Sequence, residues 1–142
     1  MSEAGINAAI AGHLGVPIIM ISGDDAATAE AVRVIGDMET AVVKWAYSFH
    51  SAKTLTPEAG YEVIAEKTAA AIRRIEDFRP YRLEAPIRLD VRSKNYRPAE
   101  VLSYLSIVER TGSHEVRFVG EDMLEVSKFL EFLLTYSPSL SP

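Results

Sequence analysis

The sequence lacks cysteine, holds only three histidines and contains no long apolar run. Without cysteine there are no disulfides and no thiolate ligands, so a bound metal must be held by histidine, aspartate or glutamate. The longest uninterrupted apolar run, Val16 to Ile21, is far shorter than the roughly 20 residues that a membrane-spanning helix needs. The N-terminus also lacks the basic start and apolar core of a secretory signal. The sequence therefore predicts a cytoplasmic protein without a membrane partner.

A surplus of basic residues is absent as well, because the chain carries a formal net charge of −5. Nucleic-acid binding needs a concentrated basic surface, so nucleic acid is excluded as the main partner. The charge is uneven, however, and residues 73–97 hold eight bases against four acids. We interpret this basic segment as a solvated helix end and connector, with an anionic ligand or a complementary subunit face as the alternative.

The chain is predicted to begin with a helix, a strand and a second helix. The first helix is predicted over Ser2–Leu14, because a serine caps its start, a glycine follows its end, and its small residues allow close packing. The apolar run Val16–Ser22 lies between two glycines and predicts a buried parallel strand. The second helix is predicted over Ala26–Ile35, with Asp25 as its N-cap and Asp24 as the alternative.

The middle of the chain predicts a strand over Thr40–Ser48, which is rich in β-branched and aromatic residues. Thr56 and Pro57 then match the N-cap and first position of a helix. This helix is predicted to reach Asp77 with one mostly apolar face buried, because the side chains of that face recur at spacings of three and four residues. The face consists of Tyr61, Ile64, Thr68, Ile72 and Ile75.

The last part of the chain predicts strands over residues 87–91, 107–110 and 115–119, with a short helix over residues 98–104. A final helix is capped by Asp122 and ends near Leu134. We expect one domain over residues 1–136, followed by a loose tail of residues 137–142. The predicted fold class is α/β or α+β: a mixed sheet with flanking helices, an αβα start and a C-terminal helix.

Common catalytic motifs are missing, since the sequence contains no GxGxxG, GxxxxGK, HExxH or GxSxG pattern. Five other short segments are individually weak signals, but their common order and spacing indicate a protein family. They are Glu3-Ala4-Gly5-Ile6-Asn7-Ala8, Val16-Pro17, Gly23-Asp24-Asp25, Val43-Lys44 and Leu55-Thr56-Pro57.

These segments resemble the second half of the zinc-dependent D-aminopeptidases found in dipeptide-transport operons. In that family a Gly-Glu-x-Gly-x-Asn-Ala helix start, a valine-proline strand ending in Gly-Asp-Asp, an Ala-Val-Lys strand and a Leu-Ser-Pro helix start follow in the same order. The segment from Glu121 to Glu125 also resembles the family's Lys-Asp-Met-Leu-Glu, so the resemblance spans nearly the whole chain. It implies that this chain is equivalent to the C-terminal part of such an enzyme.

The resemblance implies a cytoplasmic hydrolase with two zinc ions that removes D-amino acids from the N-termini of short peptides and assembles into rings of identical subunits. The family takes its zinc ligands from an N-terminal Asp-x-Glu, two histidines and one glutamate, and only that glutamate has a match here, at Glu3. His13, His50 and His114 do not occupy ligand positions, and no residue matches the family's catalytic histidine. The chain is therefore predicted to be a fragment without the N-terminal metal-binding half, and inactive alone.

Four further residues are candidates for the site. Asn7 lies one helical turn after Glu3, where it could hydrogen-bond that carboxylate or line the site. Asp24 and Asp25 follow the first predicted strand at its carboxyl end, the usual place for ligand crevices in α/β sheets. Asp24 could pair with a substrate amine or with a buried lysine such as Lys44. Without the resemblance, Glu3 would be interpreted as a residue that interacts with the helix dipole.

Two alternatives stay open. The chain could be a non-catalytic α/β oligomerisation or binding domain derived from this family. It could also be one part of a split metallopeptidase whose other half is a separate chain. An upstream reading frame that encodes Asp-x-Glu and two histidines would distinguish these possibilities.

Overall fold

The structure is a computed structural model that describes residues 1–135. Two compact units make up the chain, Met1–Arg82 and Leu83–Pro142. The single domain expected over residues 1–136 stays a prediction, and the expected loose tail of residues 137–142 lies outside the described part of the chain. None of the helices within residues 1–135 is long and apolar enough to cross a membrane.

The first unit is built from three helices and three strands. These are α1 (Glu3–His13), β1 (Met20–Asp24), α2 (Asp25–Ile35), β2 (Glu39–Ser48), β3 (Ser51–Thr54) and α3 (Pro57–Arg73), followed by a short 3-10 turn at Ile75–Asp77. The sheet has the order β1-β2-β3, with β1 and β2 parallel and β2 and β3 antiparallel. This arrangement confirms the predicted αβα start and mixed sheet.

The strand β1 begins later than its apolar pattern predicted. The pattern predicted a buried strand over Val16–Ser22, but pairing starts at Met20, which lies opposite Glu39 of β2. Val16 is 54% exposed, and Pro17 has no N–H to donate to a ladder. The strand is only partly buried, because β1 forms one edge of the sheet.

The helix α1 packs closely against the end of the first unit. A Cβ atom at Gly12 would overlap the backbone carbonyl of Tyr81. This confirms that the small residues of the helix let another segment approach its backbone. Ser2 is the N-cap, although its side chain makes no capping hydrogen bond, and the chain turns away at Gly15, whose φ is 80°.

The buried face predicted for the helix that starts at Pro57 is wrong at three of its five positions, whereas Ile64 and Thr68 are half-buried. Tyr61 is 72% exposed, Ile72 is 58% exposed and Ile75 is 49% exposed. The fully buried positions of this helix are the small residues Gly60 and Ala71. The buried side of the helix is therefore narrower than predicted and leaves out Tyr61 and Ile72. The predicted start is confirmed, because Thr56 accepts a hydrogen bond from the Ala59 N–H at 3.3 Å.

Two long cationic side chains on α3 and just after it explain this difference. Lys67 Nζ donates to Glu39 Oε2 at 3.3 Å, and Arg74 Nη1 donates to Glu39 Oε1 at 3.2 Å. Arg74 also pairs with Asp37, and its guanidinium lies 4.8 Å from the centroid of the Phe78 ring. The side of α3 that meets the start of β2 therefore carries long side chains with apolar stems and charged ends. A prediction from the spacing of apolar residues does not detect this side of the helix.

Strand β3 was absent from the sequence prediction. It forms a hairpin with β2 in which Trp45 lies opposite Lys53. The Lys53 ammonium sits 5.2 Å from the centroid of the Trp45 ring, a cation–π contact. All four residues of β3 are exposed, so the strand carries no buried apolar pattern from which it could be predicted.

Over residues 83–135 the second unit consists of a three-stranded antiparallel sheet and two helices. Its elements are β4 (Ile87–Arg92), α4 (Tyr96–Leu102), β5 (Val108–Arg110), β6 (Glu115–Gly120) and α5 (Met123–Thr135). The strand order is β4-β6-β5. All three predicted strands are present, and α4 starts two residues before the predicted Pro98.

The core of the second unit lies between β6 and α5. Val116 and Val126 are almost completely buried, and the rings of Phe118 and Phe129 stack with centroids 4.2 Å apart. Asp122 accepts a hydrogen bond from the Glu125 N–H at 2.9 Å. The capping role predicted for Asp122 is thereby confirmed.

Candidate functional site

The candidate metal ligand Glu3 lies on the first turn of α1 and is exposed to solvent. The backbone N–H of Ser2 donates to Glu30 Oε1 of α2 at 3.2 Å, which holds the start of α1 beside α2. At this position the carboxylate interacts favourably with the helix dipole. It is also accessible to a ligand group from outside the unit.

Asn7 lies one turn further along α1 and is exposed as well. Residues four apart lie on the same side of a helix, so Glu3 and Asn7 present one carboxylate and one amide along a common face. The roles predicted for Asn7, a hydrogen bond to the Glu3 carboxylate or a place in the site wall, stay predictions.

The donors of this chain do not make a zinc site by themselves. Within residues 1–135 there is no group of three or more His, Asp or Glu residues arranged to hold a metal ion. His50 contacts the ring of Phe49 at the tip of the β2–β3 hairpin, and His114 Nδ1 lies 3.3 Å from the Ser93 carbonyl. A hydrolytic zinc needs several ligands and an open position for water, and one carboxylate at Glu3 cannot supply these.

The carboxyl end of β1 brings Asp24 and Lys44 together. Asp24 lies opposite Lys44 where the β1–β2 register shifts after Gly23. Asp24 Oδ1 accepts the Ala27 N–H at 2.7 Å, and Asp24 Oδ2 lies 3.8 Å from Lys44 Nζ. One carboxylate therefore caps α2 and pairs with β2 at the same time.

These contacts correct two details of the sequence interpretation. The N-cap of α2 is Asp24, whereas Asp25 is the exposed first residue of the helix. The expected pairing of Asp24 with Lys44 is present, but the Lys44 side chain is 47% exposed rather than buried. Because water screens such a pair, its contribution to stability is small. A role for these residues toward substrate stays a prediction.

An open cavity of about 300 Å³ lies beside Lys44 of β2. Its other walls come from β2, the end of β3 and the start of α3. They are Val43, Thr54, Leu55, Thr56, Pro57, Gly60, Tyr61 and Ile64. Sequence reasoning missed this cavity because most of its walls are apolar residues, which carry no functional signal on their own.

Three bases of the segment of residues 73–97, Arg74, Arg88 and Arg92, pair with nearby acids. Arg88 and Arg117 both contact Asp90, the latter at 2.7 Å through its Nε. The hydrogen bond from Arg117 lowers the pKa of Asp90 from its ordinary value of 3.8. Arg92 pairs with Glu115 at 3.7 Å. These pairs favour the solvated-face interpretation for Arg74, Arg88 and Arg92.

Comparison with known proteins gives consistent matches. A family described as D-aminopeptidase matches residues 1–132. A D-aminopeptidase of Bacillus subtilis (strain 168) is 37% identical over 128 residues, which are 88% of this chain and 46% of that protein. The solved structure of the Zn-dependent D-aminopeptidase DppA from Bacillus subtilis, described as a self-compartmentalizing protease, matches with a TM-score of 0.88 and 32% identity. The match covers 94% of this chain and 49% of that one, so this chain spans about half the length of its relatives.

Proposed function

This chain belongs to the D-aminopeptidase family, and from that premise we propose that it is part of a zinc-dependent aminopeptidase that hydrolyses short peptides with N-terminal D-amino acids. The observation that carries this proposal is the agreement in both sequence and fold with D-aminopeptidases over nearly the whole chain. Since the chain spans about half of those relatives, the complete active site requires residues that correspond to their other half.

Within that complete site, Glu3 is the residue of this chain that holds zinc. Asn7 lies on the same face of α1 and hydrogen-bonds the ligand carboxylate or lines the site. Asp24 and Asp25 lie at the carboxyl end of β1, Lys44 of β2 pairs with Asp24, and these three residues contact the peptide. The complete enzyme holds two zinc ions, and the remaining ligands come from the part that this chain does not include.

The proposed enzyme is cytoplasmic, takes short peptides connected with dipeptide transport, and assembles from identical subunits into rings. Support for the assembly comes from the description of the Bacillus subtilis structure as self-compartmentalizing. Support for a small substrate comes from the size of the cavity beside Lys44, about 300 Å³.

One observation favours a second candidate, a non-catalytic α/β oligomerisation or binding domain derived from this family. No set of metal-binding side chains is gathered within residues 1–135. A domain that kept its fold and its subunit contacts but lost the other zinc ligands would also lack such a set of side chains.

The two candidates are separated by adding back the complementary half. This chain is co-expressed with the N-terminal half of the Bacillus subtilis D-aminopeptidase, and zinc binding is followed by calorimetry. We expect tight zinc binding and release of D-alanine from D-alanyl-D-alanine. Glu3→Gln removes the charge of the carboxylate but keeps its length, so it should lower zinc occupancy and activity together.

The matched control is Glu58→Gln. Glu58 is the exposed acid in the first turn of α3, so it shares the helix-dipole environment of Glu3. We expect this control to retain zinc and activity. Full zinc binding by the Glu3→Gln complex would show that Glu3 is a helix-start residue only. A parent complex that binds no zinc would favour the non-catalytic domain.

A further inference from the structure

A polar cavity of about 400 Å³ opens at the end of β4 in the second unit. Its walls are Arg92, Ser93, Lys94 and His114, and each of these four side chains can donate a hydrogen bond. Three of the four carry a positive charge or can take one up. The first three belong to the basic segment of residues 73–97, for which an anionic ligand is the alternative interpretation.

The charges around this cavity do not cancel. Arg92 pairs with Glu115 at 3.7 Å, a distance too long for a hydrogen bond. The ammonium group of Lys94 is exposed and has no hydrogen bond or ion pair within residues 1–135. Because the charges of Arg92 and Glu115 offset each other, Lys94 leaves the cavity with one net positive charge. A protonated His114 raises that charge to two.

The half-buried His114 ring has one nitrogen engaged with the backbone. Its Nδ1 lies 3.3 Å from the Ser93 carbonyl oxygen. A carbonyl oxygen only accepts, so Nδ1 carries a proton. The other ring nitrogen, Nε2, makes no hydrogen bond within the part of the chain that the structure describes. When Nε2 also takes up a proton, the ring gains both a charge and a donor for an anion.

Backbone hydrogen bonds hold the two segments that form the walls. The Ser93 N–H donates to the His114 carbonyl at 2.9 Å, which joins the end of β4 to the residue before β6. The Thr111 N–H donates to the Glu115 carbonyl at 3.1 Å and closes the turn between β5 and β6. The cavity is therefore formed before a ligand arrives, and binding does not have to order the chain.

We propose that this cavity binds the phosphate group of a small molecule, with Lys94 and His114 as the main charged contacts. A phosphate group carries a charge of about −1.5 to −2 at neutral pH and offers three acceptor oxygens. This charge matches the one or two positive charges of the cavity, whereas a carboxylate supplies a single negative charge. A volume of about 400 Å³ is within the range of small-molecule sites. The proposed peptidase reaction does not use such a ligand.

The test is NMR of the imidazole nitrogens of this 142-residue chain at constant, near-neutral pH and constant ionic strength. Inorganic phosphate and glycerol phosphate should both move the His114 Nε2 signal toward that of a protonated ring. The expected dissociation constant is about 1 mM or tighter. Acetate should bind at least about fivefold more weakly, since it carries less charge.

The other two histidines are internal controls. His13 and His50 do not line the cavity, so their signals should show no saturable shift with either phosphate. A His114 signal that neither phosphate moves would overturn the proposal. Equal binding of acetate and phosphate would overturn it as well.

A matched pair of lysine variants tests the role of charge. Lys94→Gln and Lys128→Gln each remove one positive charge from an exposed residue of the second unit, but Lys128 lies on α5, outside this cavity. With the His114 signal as the readout, Lys94→Gln should weaken phosphate binding by at least about fivefold and Lys128→Gln by less than about twofold. Equal effects would mean that phosphate responds to net charge alone and would overturn the site.

The two phosphates distinguish the source of the ligand. Tighter binding of glycerol phosphate than of inorganic phosphate assigns the cavity to a phosphate monoester, and equal binding assigns it to the free ion. Circular dichroism checks that both lysine variants stay folded. If Lys94→Gln unfolds, the comparison of His114 with His13 and His50 in the parent chain decides.

Discussion

At the scale of single residues, the exposed ion pair between Asp90 and Arg117 links two strands of the second unit. The Arg117 hydrogen bond lowers the folded-state pKa of Asp90 below the ordinary 3.8 of the unfolded chain. A lowered pKa means that the stability from this pair is present above the unfolded value and is lost as the pH falls through the folded value. The effect is therefore confined to acid conditions.

We expect an NMR titration of the Asp90 carboxyl to show a midpoint below 3.8. Arg117→Gln should move the midpoint back toward that ordinary value, because it removes the hydrogen bond that is the largest cause of the shift. Arg88→Gln is the control and should have a smaller effect, since Arg88 acts only through its charge. A larger shift of the Asp90 midpoint in Arg88→Gln than in Arg117→Gln would show that Arg88 is the main cause of the lowered pKa.

Ile72 and Ala71 are neighbours in α3 with opposite environments. Ile72 is 58% exposed, so Ile72→Ala should cost less than about 1 kcal/mol rather than the roughly 2–5 kcal/mol of a buried isoleucine. Ala71 is completely buried, so Ala71→Leu overfills the core and should cost about 1–3 kcal/mol. Urea unfolding of both variants measures the difference. The reverse order of the two losses would mean that the isoleucine face is the packed one.

At the scale of elements, the contact between α1 and the segment at Tyr81 depends on a glycine. Alanine normally favours a helix over glycine by about 1 kcal/mol. At Gly12 the added methyl would overlap the backbone of Tyr81, whereas at Gly5 its nearest neighbour is the flexible side chain of Met1, at 2.7 Å.

Gly12→Ala should therefore destabilise the protein by about 1–3 kcal/mol or more, while Gly5→Ala should be near neutral. Thermal unfolding of the two variants provides the comparison. Equal stability of both proteins would show that the segment at Tyr81 moves away from α1 at little cost.

The elements that could be predicted from the sequence are those with a strong local signal. The helix start at Thr56 and Pro57, the cap at Asp122 and the alternating strand at Ile87–Arg92 all agree with the structure. These features depend on neighbours within a few residues along the chain.

The features that could not be predicted depend on contacts between distant residues. The buried side of α3 differs from the predicted one because Lys67 and Arg74 reach Glu39 of β2, which is more than 25 residues away along the chain. The cap at Asp24 rather than Asp25 follows from where β1 ends in its pairing with β2. Glu3 was identified as a candidate ligand only through the family resemblance, since an exposed glutamate at a helix start has an ordinary structural role.

At the scale of the whole molecule, this chain spans about half of the relatives that carry out the chemistry. Within residues 1–135 it gathers no metal-binding set. The purified chain with added zinc should therefore release no D-alanine from D-alanyl-D-alanine above background. The full-length Bacillus subtilis D-aminopeptidase, assayed beside it, serves as the positive control. Zinc-dependent release by the chain alone, free of contaminating peptidase, would contradict this expectation.

The chain has a single tryptophan, Trp45, and it lies in the β2–β3 hairpin of the first unit beside Lys53. Tryptophan emission is therefore a spectroscopic label for residues 1–82 alone, while far-ultraviolet circular dichroism averages over both units. A denaturation followed by the two signals at once reports whether the units melt together. Coincident curves mean one cooperative molecule, and separated curves give each unit its own melting transition.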